Sequence, residues 1–164
     1  MIPILSIVGR SNTGKTTLIE GLIPELKKRG YRVATIKHNL HGFDVDKPGK
    51  DSWRHRAAGA RTVVLSSPGL ITVFEEPDRE YGIAELSERY IKDADIILTE
   101  GYKGNPFPKI EVFRSELKQE LLCKPGDGLI ALAGDRPVDY GVPYLDLNDY
   151  SSIADIIEEA FLKK

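Results

Sequence analysis

Residues Gly9-Arg10-Ser11-Asn12-Thr13-Gly14-Lys15-Thr16 have the pattern G-x-x-x-x-G-K-T and directly follow an apolar run, Ile4-Leu5-Ser6-Ile7-Val8. A buried strand that ends in a glycine-rich turn and leads into a helix is the context in which this pattern binds phosphate. The glycines let the backbone bend so that successive N–H groups point inward at phosphate oxygens, and the helix N-terminus adds positive potential. Because an ordinary strand-to-helix turn needs no Lys-Thr pair, this stretch predicts a phosphate-binding loop.

The side chains of the loop have distinct expected roles. Lys15 supplies a point charge for the β- and γ-phosphates, and the Thr16 hydroxyl can ligate Mg²⁺. The predicted nucleotide-binding residues of this stretch are Gly9, Arg10, Ser11, Asn12, Thr13, Gly14, Lys15, Thr16 and Thr17. We therefore expect a nucleoside triphosphate and Mg²⁺ as the cofactors.

The pattern around the loop alternates between strands and helices. The stretch 14–29 predicts an amphipathic helix with Leu18, Leu22 and Leu26 on one face. Further strands are predicted at 33–37, 96–99, 109–113, 129–133 and 144–147, an antiparallel hairpin at 62–66 and 70–74, and helices at 51–60, 83–90 and 152–162. This order predicts an α/β P-loop NTPase fold of three layers, with a largely parallel central sheet plus the hairpin, as one domain over residues 1–164.

A phosphate loop also needs a carboxylate on a neighbouring strand to hold the Mg²⁺ shell. In the run Asp95-Ile96-Ile97-Leu98-Thr99-Glu100-Gly101, Glu100 closes the strand at the carboxyl edge, where α/β sheets place ligands, whereas Asp95 opens it at the opposite edge. The glycine after Glu100 indicates a close approach of backbone or ligand. We therefore expect Thr16 and Glu100 to bind Mg²⁺, and Lys15 and Glu100 to be the catalytic residues.

A second predicted strand also ends in an acidic residue, which is a candidate for recognising the base of the nucleotide. The run Ile130-Ala131-Leu132-Ala133-Gly134-Asp135 places Asp135 at the same predicted edge of the sheet. A carboxylate there can accept hydrogen bonds from N1 and N2 of guanine, and adenine offers no such pair of donors. This favours GTP over ATP, although Asp135 also fits a simple turn aspartate before Pro137.

The polar segment that follows the second predicted strand leaves three interpretations open. One is a transition-metal site made by His38, His41 and Asp44, for which the spacing is weak evidence without cysteines. Another is an anion-binding loop, with Asp44 or Asp46 assisting Mg²⁺ or water. Its candidate residues are Lys37, His38, Asp44, Arg54, His55 and Arg56. The third is a solvated polar loop.

Composition limits the class of protein. The net charge of −2 disfavours nucleic-acid binding through the overall field. The single cysteine, Cys123, leaves no internal disulfide and fits a reducing compartment. The residues printed before the loop carry no cationic n-region of a signal peptide, and no apolar run approaches the ~20 residues of a membrane span. We therefore expect a cytoplasmic location, without membrane or nucleic-acid partners.

Several blocks together resemble the molybdopterin-guanine dinucleotide biosynthesis accessory protein B family. They are G-R-S-N-T-G-K-T-T-L at 9–18, T-I-K-H at 35–38, D-V-D-K-P-G-K-D-S-W-R-H-R-A-A-G-A at 44–60, L-T-E-G-Y-K at 98–103 and P-K-I-E-V-F-R at 108–114. They span most of the chain in the family's order. The phosphate loop alone indicates only an NTPase, whereas the block at 44–60 and the block over 100–114 are far more specific.

The resemblance implies a GTP-binding protein with weak GTPase activity, commonly a homodimer. It implies a role in assisting the guanylyltransferase that joins GMP to molybdenum-bound molybdopterin, so that enzyme and possibly molybdopterin are the expected partners. Weak hydrolysis agrees with the residues, because Gln119 lies outside the motifs and an arginine finger in cis is not evident; Arg10, Arg54 or Arg56 could act in trans. Two other classes remain open: an ATP-dependent small-molecule kinase or ligase of the dethiobiotin-synthetase type, and a metallochaperone GTPase using His38, His41 and His55.

Overall fold

Six parallel strands form the sheet that carries the phosphate loop, in the spatial order β2-β5-β1-β6-β7-β8. In chain order the strands of this sheet are β1 (Ile4–Val8), β2 (Val33–Lys37), β5 (Ile96–Glu100), β6 (Lys109–Val112), β7 (Leu129–Gly134) and β8 (Tyr144–Asp146). A two-stranded antiparallel sheet is formed by β3 (Thr62–Ser67) and β4 (Leu70–Glu75). The helices are α1 (Lys15–Lys28), α2 (Asp51–Ala57), α3 (Ile83–Tyr90) and α4 (Tyr150–Ile157).

The computed structural model describes residues 1–39, 42, 45–102, 104–124 and 126–163. The chain forms two units, of which unit 1 comprises Met1–His38 and Ile83–Lys164, and unit 2 comprises Asn39–Gly82. Unit 1 holds the six-stranded sheet with α1, α3 and α4, and unit 2 holds α2 and the hairpin. The prediction of one nucleotide-binding domain over 1–164 stays a prediction.

Helices cover both faces of the parallel sheet. Side chains alternate between the faces along a strand, so neighbouring residues of β1 enter different layers. Leu5 packs with Leu22 of α1 and Ile153 of α4 in one buried cluster. Ile4 packs with Ile83 of α3 in a second cluster on the other face. Each fully buried aliphatic side chain contributes roughly 1.5–3 kcal/mol to stability. The predicted three-layer arrangement with a parallel sheet is confirmed.

The helix that follows the phosphate loop is held at its far end by Arg29. The guanidinium contacts three carboxylates, at 2.9 Å from Glu25 Oε1, 2.7 Å from Asp155 Oδ1 and 2.9 Å from Glu158 Oε2. It also donates to the carbonyl of Ser151, 3.0 Å away. These contacts join the end of α1 to α4 and raise the pKa of Arg29. They therefore restrain the direction in which α1 presents its N-terminus.

Most element bounds agree with the sequence prediction, and the differences have local causes. Helix α2 ends at Ala57 rather than at 60, because Gly59 adopts φ +100°, a left-handed conformation that ends a helix. Strand β8 ends at Asp146, whose Oδ1 accepts a bond from Asn148 N and starts a turn. Helix α4 begins at Tyr150, two residues before the predicted start, and is capped by Asp149, which accepts a bond from the Ser152 amide.

Unit 2 has its own polar centre. Asp46 is buried, and its Oδ1 accepts a bond of 2.8 Å from the Ser52 hydroxyl. Arg56 Nη1 lies 3.5 Å from Asp46 Oδ2, and the Arg56 guanidinium lies 5.3 Å from the centre of the Phe74 ring. Asp46 and Arg56 therefore stabilise the packing of α2 within this unit. The predicted hairpin is confirmed, with Thr62 opposite Glu75 and Ser67 opposite Leu70.

Among the residues that the structure describes, no helix combines the length and apolar character needed to cross a bilayer.

Candidate functional site

The loop between β1 and α1 bends through three residues with positive φ. Gly9, Asn12 and Gly14 have φ values of +145°, +65° and +98°. Glycine adopts such angles without a steric penalty, and asparagine is among the residues that tolerate them. A chain with this bending turns its amides toward a common centre, as an anion-binding loop requires. The spacing of Gly9 and Gly14 in the motif therefore has a direct backbone reason.

Gly9 is also the point of closest approach between the loop and the sheet. A β-carbon on Gly9 would lie 2.3 Å from the carbonyl oxygen of Val112 at the end of β6 and 2.9 Å from Thr13 Oγ1. No side chain fits in that space, because real β-carbons do not approach backbone atoms so closely. The loop thus rests directly on the backbone of the neighbouring strand.

The Lys15 side chain folds back over the phosphate loop. Its Nζ donates a bond of 2.7 Å to the carbonyl of Arg10, which also accepts a bond of 3.0 Å from Thr13 Oγ1. Gly14 is the N-cap of helix α1 and makes no side-chain cap, so it leaves the first amides of the helix to an anion. The ammonium and these amides are therefore presented to the same small space.

Thr16, in the first turn of α1, contacts Glu100 at the end of β5, the strand beside β1. The Thr16 hydroxyl donates a bond of 2.9 Å to Glu100 Oε1, and Lys37 Nζ lies 3.3 Å from the same oxygen. Adjacent ligand oxygens of an octahedral Mg²⁺ ion, each 2.0–2.1 Å from the metal, are about 2.9 Å apart. The separation of the two side-chain oxygens therefore fits neighbouring positions in a Mg²⁺ shell.

Strand register explains why Glu100 reaches this position. Glu100 is the last residue of β5, opposite Ile7 on β1 and Lys37 on β2. Asp95, at the opposite end of the strand, pairs with Arg32, and the Arg32 side chain and amide lower the pKa of its carboxyl to about 2. The prediction that Glu100 lies at the carboxyl edge and Asp95 at the opposite end of the strand is confirmed.

The glycine after Glu100 makes the close approach that the sequence indicated. Gly101 has φ +104°, and a β-carbon on it would lie 2.9 Å from the carbonyl oxygen of His38. The His38 amide donates to the Glu100 carbonyl at 2.9 Å, and the His38 ring stacks on Tyr102 with ring centres 4.5 Å apart. Lys37 and His38 therefore belong to the carboxyl edge that carries Glu100.

Asp135 lies at the end of β7, at the same edge of the sheet. Its Oδ1 accepts a bond of 2.9 Å from the Ser115 amide and its Oδ2 accepts one of 2.8 Å from the Ser115 hydroxyl. These bonds lower the pKa of the Asp135 carboxyl. A carboxylate has about four acceptor positions, so acceptor capacity remains for a ligand. The position fits the sequence prediction, and base recognition by Asp135 stays a prediction.

The structure adds Arg114, which the motifs did not single out for a role. Arg114 Nε lies 3.4 Å from the Thr13 carbonyl, and a β-carbon on Gly14 would lie 3.5 Å from Arg114 Nη2. Its guanidinium is therefore a second cation beside the phosphate loop, in cis. The signal in the sequence was its place two residues after the last residue of β6, at the carboxyl edge, but which strand lies beside β1 cannot be read from local patterns.

The other residues predicted for anion binding lie in unit 2 or outside the described residues. Arg54 and His55 are exposed on α2, and Arg54 Nη1 lies 3.8 Å from Asp51 Oδ1. His41 and Asp44 fall outside the described residues, so the metal-site interpretation that needs them stays a prediction. Over the described part of the chain, no group of three or more His, Cys, Asp or Glu side chains is placed to hold a metal ion.

Comparison with known proteins gives consistent matches. A family model described as molybdopterin guanine dinucleotide synthesis protein B matches residues 4–135. A molybdopterin-guanine dinucleotide biosynthesis adapter protein of Haemophilus influenzae is 39% identical over 96% of this chain and 88% of its own length. The adapter protein of Escherichia coli is 40% identical over 100% of this chain and 96% of its own length.

A solved structure has the same fold. The crystal structure of a molybdopterin-guanine biosynthesis protein B superposes with a TM-score of 0.76 at 32% identity, and the match covers 96% of this chain and 99% of that one. The likeness confirms the predicted α/β fold of the P-loop NTPase type, with its mostly parallel sheet and antiparallel pair.

Proposed function

The chain belongs to the molybdopterin guanine dinucleotide synthesis protein B family, and from this premise we propose that it is a GTP-binding adapter in molybdenum cofactor biosynthesis. It assists the guanylyltransferase that joins GMP to molybdenum-bound molybdopterin, and its own GTPase activity is weak. The names of its relatives support the pathway. The chemistry of the nucleotide site supports the more specific proposal, that the chain binds GTP and hydrolyses it slowly.

The observation that carries the proposal is the phosphate loop with Glu100 opposite Thr16. The loop supplies amides and the Lys15 ammonium, which suit the β- and γ-phosphates. Thr16 and Glu100, 2.9 Å apart, are the residues that would hold Mg²⁺. The ion would neutralise charge on the phosphates. Lys37, 3.3 Å from Glu100 Oε1, would hold the carboxylate in place from the side of β2.

The positions of Gln119 and Arg10 support slow hydrolysis. Fast GTPases orient the attacking water with a glutamine and add an arginine to the transition state, and an absent arginine lowers the rate by about 10³–10⁵-fold. Gln119 follows β6, which lies on the opposite side of β1 from the Glu100 strand. Arg10 Nε donates to the Glu120 carbonyl at 3.0 Å, so its guanidinium is directed to that side too.

We also propose a homodimer that works in the cytoplasm with the guanylyltransferase and its molybdopterin substrate. The hairpin of unit 2 supports a protein contact, because it exposes large apolar side chains on both strands. These are Val64, Leu65, Leu70, Ile71 and Val73.

Titration calorimetry with GTP and with ATP, each with and without Mg²⁺, tests the nucleotide proposal. We expect micromolar affinity for GTP, at least about tenfold weaker binding of ATP, and weaker binding of GTP when EDTA removes the metal. Hydrolysis should be slow in the same samples. Preference for ATP with many turnovers per minute would contradict the proposal and favour the small-molecule kinase or ligase. A supporting result makes co-purification with the guanylyltransferase the next experiment.

Replacement of Asp135 by asparagine is expected to reduce the preference for guanine. An amide keeps one acceptor oxygen but loses the second, so it no longer pairs with both N1–H and N2–H of guanine. Loss of one charge-assisted bond costs about 1.5–3 kcal/mol, so the ratio of ATP to GTP dissociation constants should fall roughly tenfold or more. The ratio is measured by calorimetry with both nucleotides.

The chain offers a closely matched control for this variant. Asp149 also accepts from the amide and the hydroxyl of one serine, Ser152, at 3.0 and 2.7 Å. Asp149→Asn therefore makes the same local change at the start of α4. We expect it to leave base preference unchanged. An Asp135→Asn protein with the selectivity of the wild type would remove Asp135 from base recognition.

A further inference from the structure

A buried carboxylate on β6, that of Glu111, has no role in the nucleotide site described so far. Glu111 is 1% exposed and lies opposite Val8 on β1, the strand that leads into the phosphate loop. Buried carboxylates are rare unless their oxygens are paired or hydrogen-bonded, because burial penalises the charged form. The hydrogen-bond partners of Glu111 therefore indicate what the side chain does.

Glu111 holds a stretch of irregular backbone, segment 118–124, against the sheet. Its Oε1 accepts a bond of 2.6 Å from the Leu122 amide, and its Oε2 accepts one of 2.9 Å from the Cys123 amide. Bonds to an ionised acceptor are roughly twice as strong as bonds between neutral groups. The Tyr140 hydroxyl also donates to the Cys123 carbonyl, at 2.9 Å. Side chains from other parts of the chain thus fix this irregular segment.

The same segment contacts the phosphate loop. Arg10 Nε donates a bond of 3.0 Å to the Glu120 carbonyl, two residues before the Leu122 amide. Arg10, Glu111 and Glu120 line a crevice of about 10 Å³, which is about the volume that one water molecule requires. The buried carboxylate, segment 118–124 and the phosphate loop are therefore closely packed.

Arg10 connects this segment to Lys15. The Arg10 carbonyl accepts bonds of 2.7 Å from Lys15 Nζ and 3.0 Å from Thr13 Oγ1. The side chain and the carbonyl of one residue thus join segment 118–124 to the lysine expected to bind the β- and γ-phosphates. A loop that is already held in its binding conformation loses less conformational entropy when an anion binds. Restraint of Arg10 should therefore increase the affinity for any ligand with a triphosphate chain.

We propose that Glu111 is a positioning residue for the phosphate loop, which acts by holding segment 118–124 where the Glu120 carbonyl binds Arg10. The inference rests on the proposed function, because it requires phosphate binding by the loop. It extends that function to a buried residue that acts through the protein rather than through the ligand. Since the restraint acts on the phosphate loop, it affects GTP and inorganic tripolyphosphate equally.

The first test is Glu111→Gln, measured by calorimetry with GTP and with inorganic tripolyphosphate, each with Mg²⁺. The new side-chain amide turns a donor toward one of the two backbone amides, so one of the two bonds is lost. We expect both affinities to fall by the same factor, about 3- to 30-fold. Asp95→Asn is the matched control, because Asp95 also accepts from a backbone amide, that of Arg32, at the opposite edge of the sheet. It should bind both ligands as the wild type does.

A double-mutant cycle with Arg10→Ala distinguishes positioning from a general loss of stability. Arg10→Ala removes the link between segment 118–124 and the loop, so it should weaken both ligands by at least the factor seen in Glu111→Gln. In the double variant, Glu111→Gln should add no further loss, because its effect requires Arg10. Additive losses, or wild-type affinities in Glu111→Gln, would overturn the positioning role. A wild-type protein that binds no GTP would instead overturn the proposed function.

Amide hydrogen exchange keeps the inference testable if Glu111→Gln does not fold. Because coupling between two sites is reciprocal, saturation of the wild type with tripolyphosphate and Mg²⁺ should slow exchange of the Leu122 and Cys123 amides about threefold or more. In saturated Arg10→Ala, both exchange rates should stay as they are without the ligand. Equal slowing in the two proteins, or no slowing in the wild type, would overturn the role proposed for Glu111.

Discussion

Replacement of Lys15 by alanine is expected to lower GTP affinity by roughly 10- to 150-fold while the protein stays folded. The ammonium lies 2.7 Å from the Arg10 carbonyl, at the first turn of α1, where it can donate its other protons to phosphate oxygens. A hydrogen bond between charged groups is worth about 1.5–3 kcal/mol, and each 1.4 kcal/mol is a factor of ten in affinity. Calorimetry with GTP and Mg²⁺ measures the loss, and circular dichroism measures the fold.

Lys27→Ala is the matched control, because it removes an exposed lysine from the last turn of the same helix. It should bind GTP as the wild type does. If Lys15→Ala unfolded the protein, the lysine would be a structural residue and its role as a phosphate ligand would lose its support. If Lys15→Ala bound GTP with wild-type affinity, the phosphate site itself would be in the wrong place.

The part of the site that the sequence predicted is the part encoded by contiguous residues. The apolar run, the two glycines and the Lys-Thr pair together specify the strand, the turn and the helix start, and the structure places β1, the loop and α1 accordingly. Glu100 was found for a related reason, since an acid at the end of an apolar strand reaches the carboxyl edge wherever that strand lies in the sheet.

The missed part depends on which strands become neighbours. Arg114 reaches the loop because β6 pairs with β1, with Glu111 opposite Val8, although about a hundred residues separate the two strands. Nothing local specifies that pairing. Asp46 shows a second limit: the sequence placed it in a polar segment as a candidate for assisting Mg²⁺, which stays a prediction, and the structure adds that it is buried against Ser52 and Arg56. Burial of a polar side chain depends on tertiary packing that local composition does not report.

Replacement of Gly9 by alanine should both destabilise the protein and abolish measurable GTP binding. Two costs combine at this position. Its φ of +145° is unfavourable for any residue with a β-carbon, and that β-carbon would lie 2.3 Å from the Val112 carbonyl oxygen. The backbone cannot yield as a flexible side chain would, so loop and strand must separate. We expect the free energy of unfolding in urea to fall by about 3 kcal/mol or more.

A variant at Gly30 distinguishes the cost of backbone strain from the cost of the steric contact. It also has positive φ, +94°, at the end of α1, but a β-carbon there would meet nothing within 4 Å. Gly30→Ala should therefore cost only the backbone strain, about 1–2 kcal/mol, and leave GTP binding intact. The difference between the two variants measures the contact between the phosphate loop and β6. Equal losses of stability with GTP binding retained in both would contradict that contact, because strain alone would then account for Gly9.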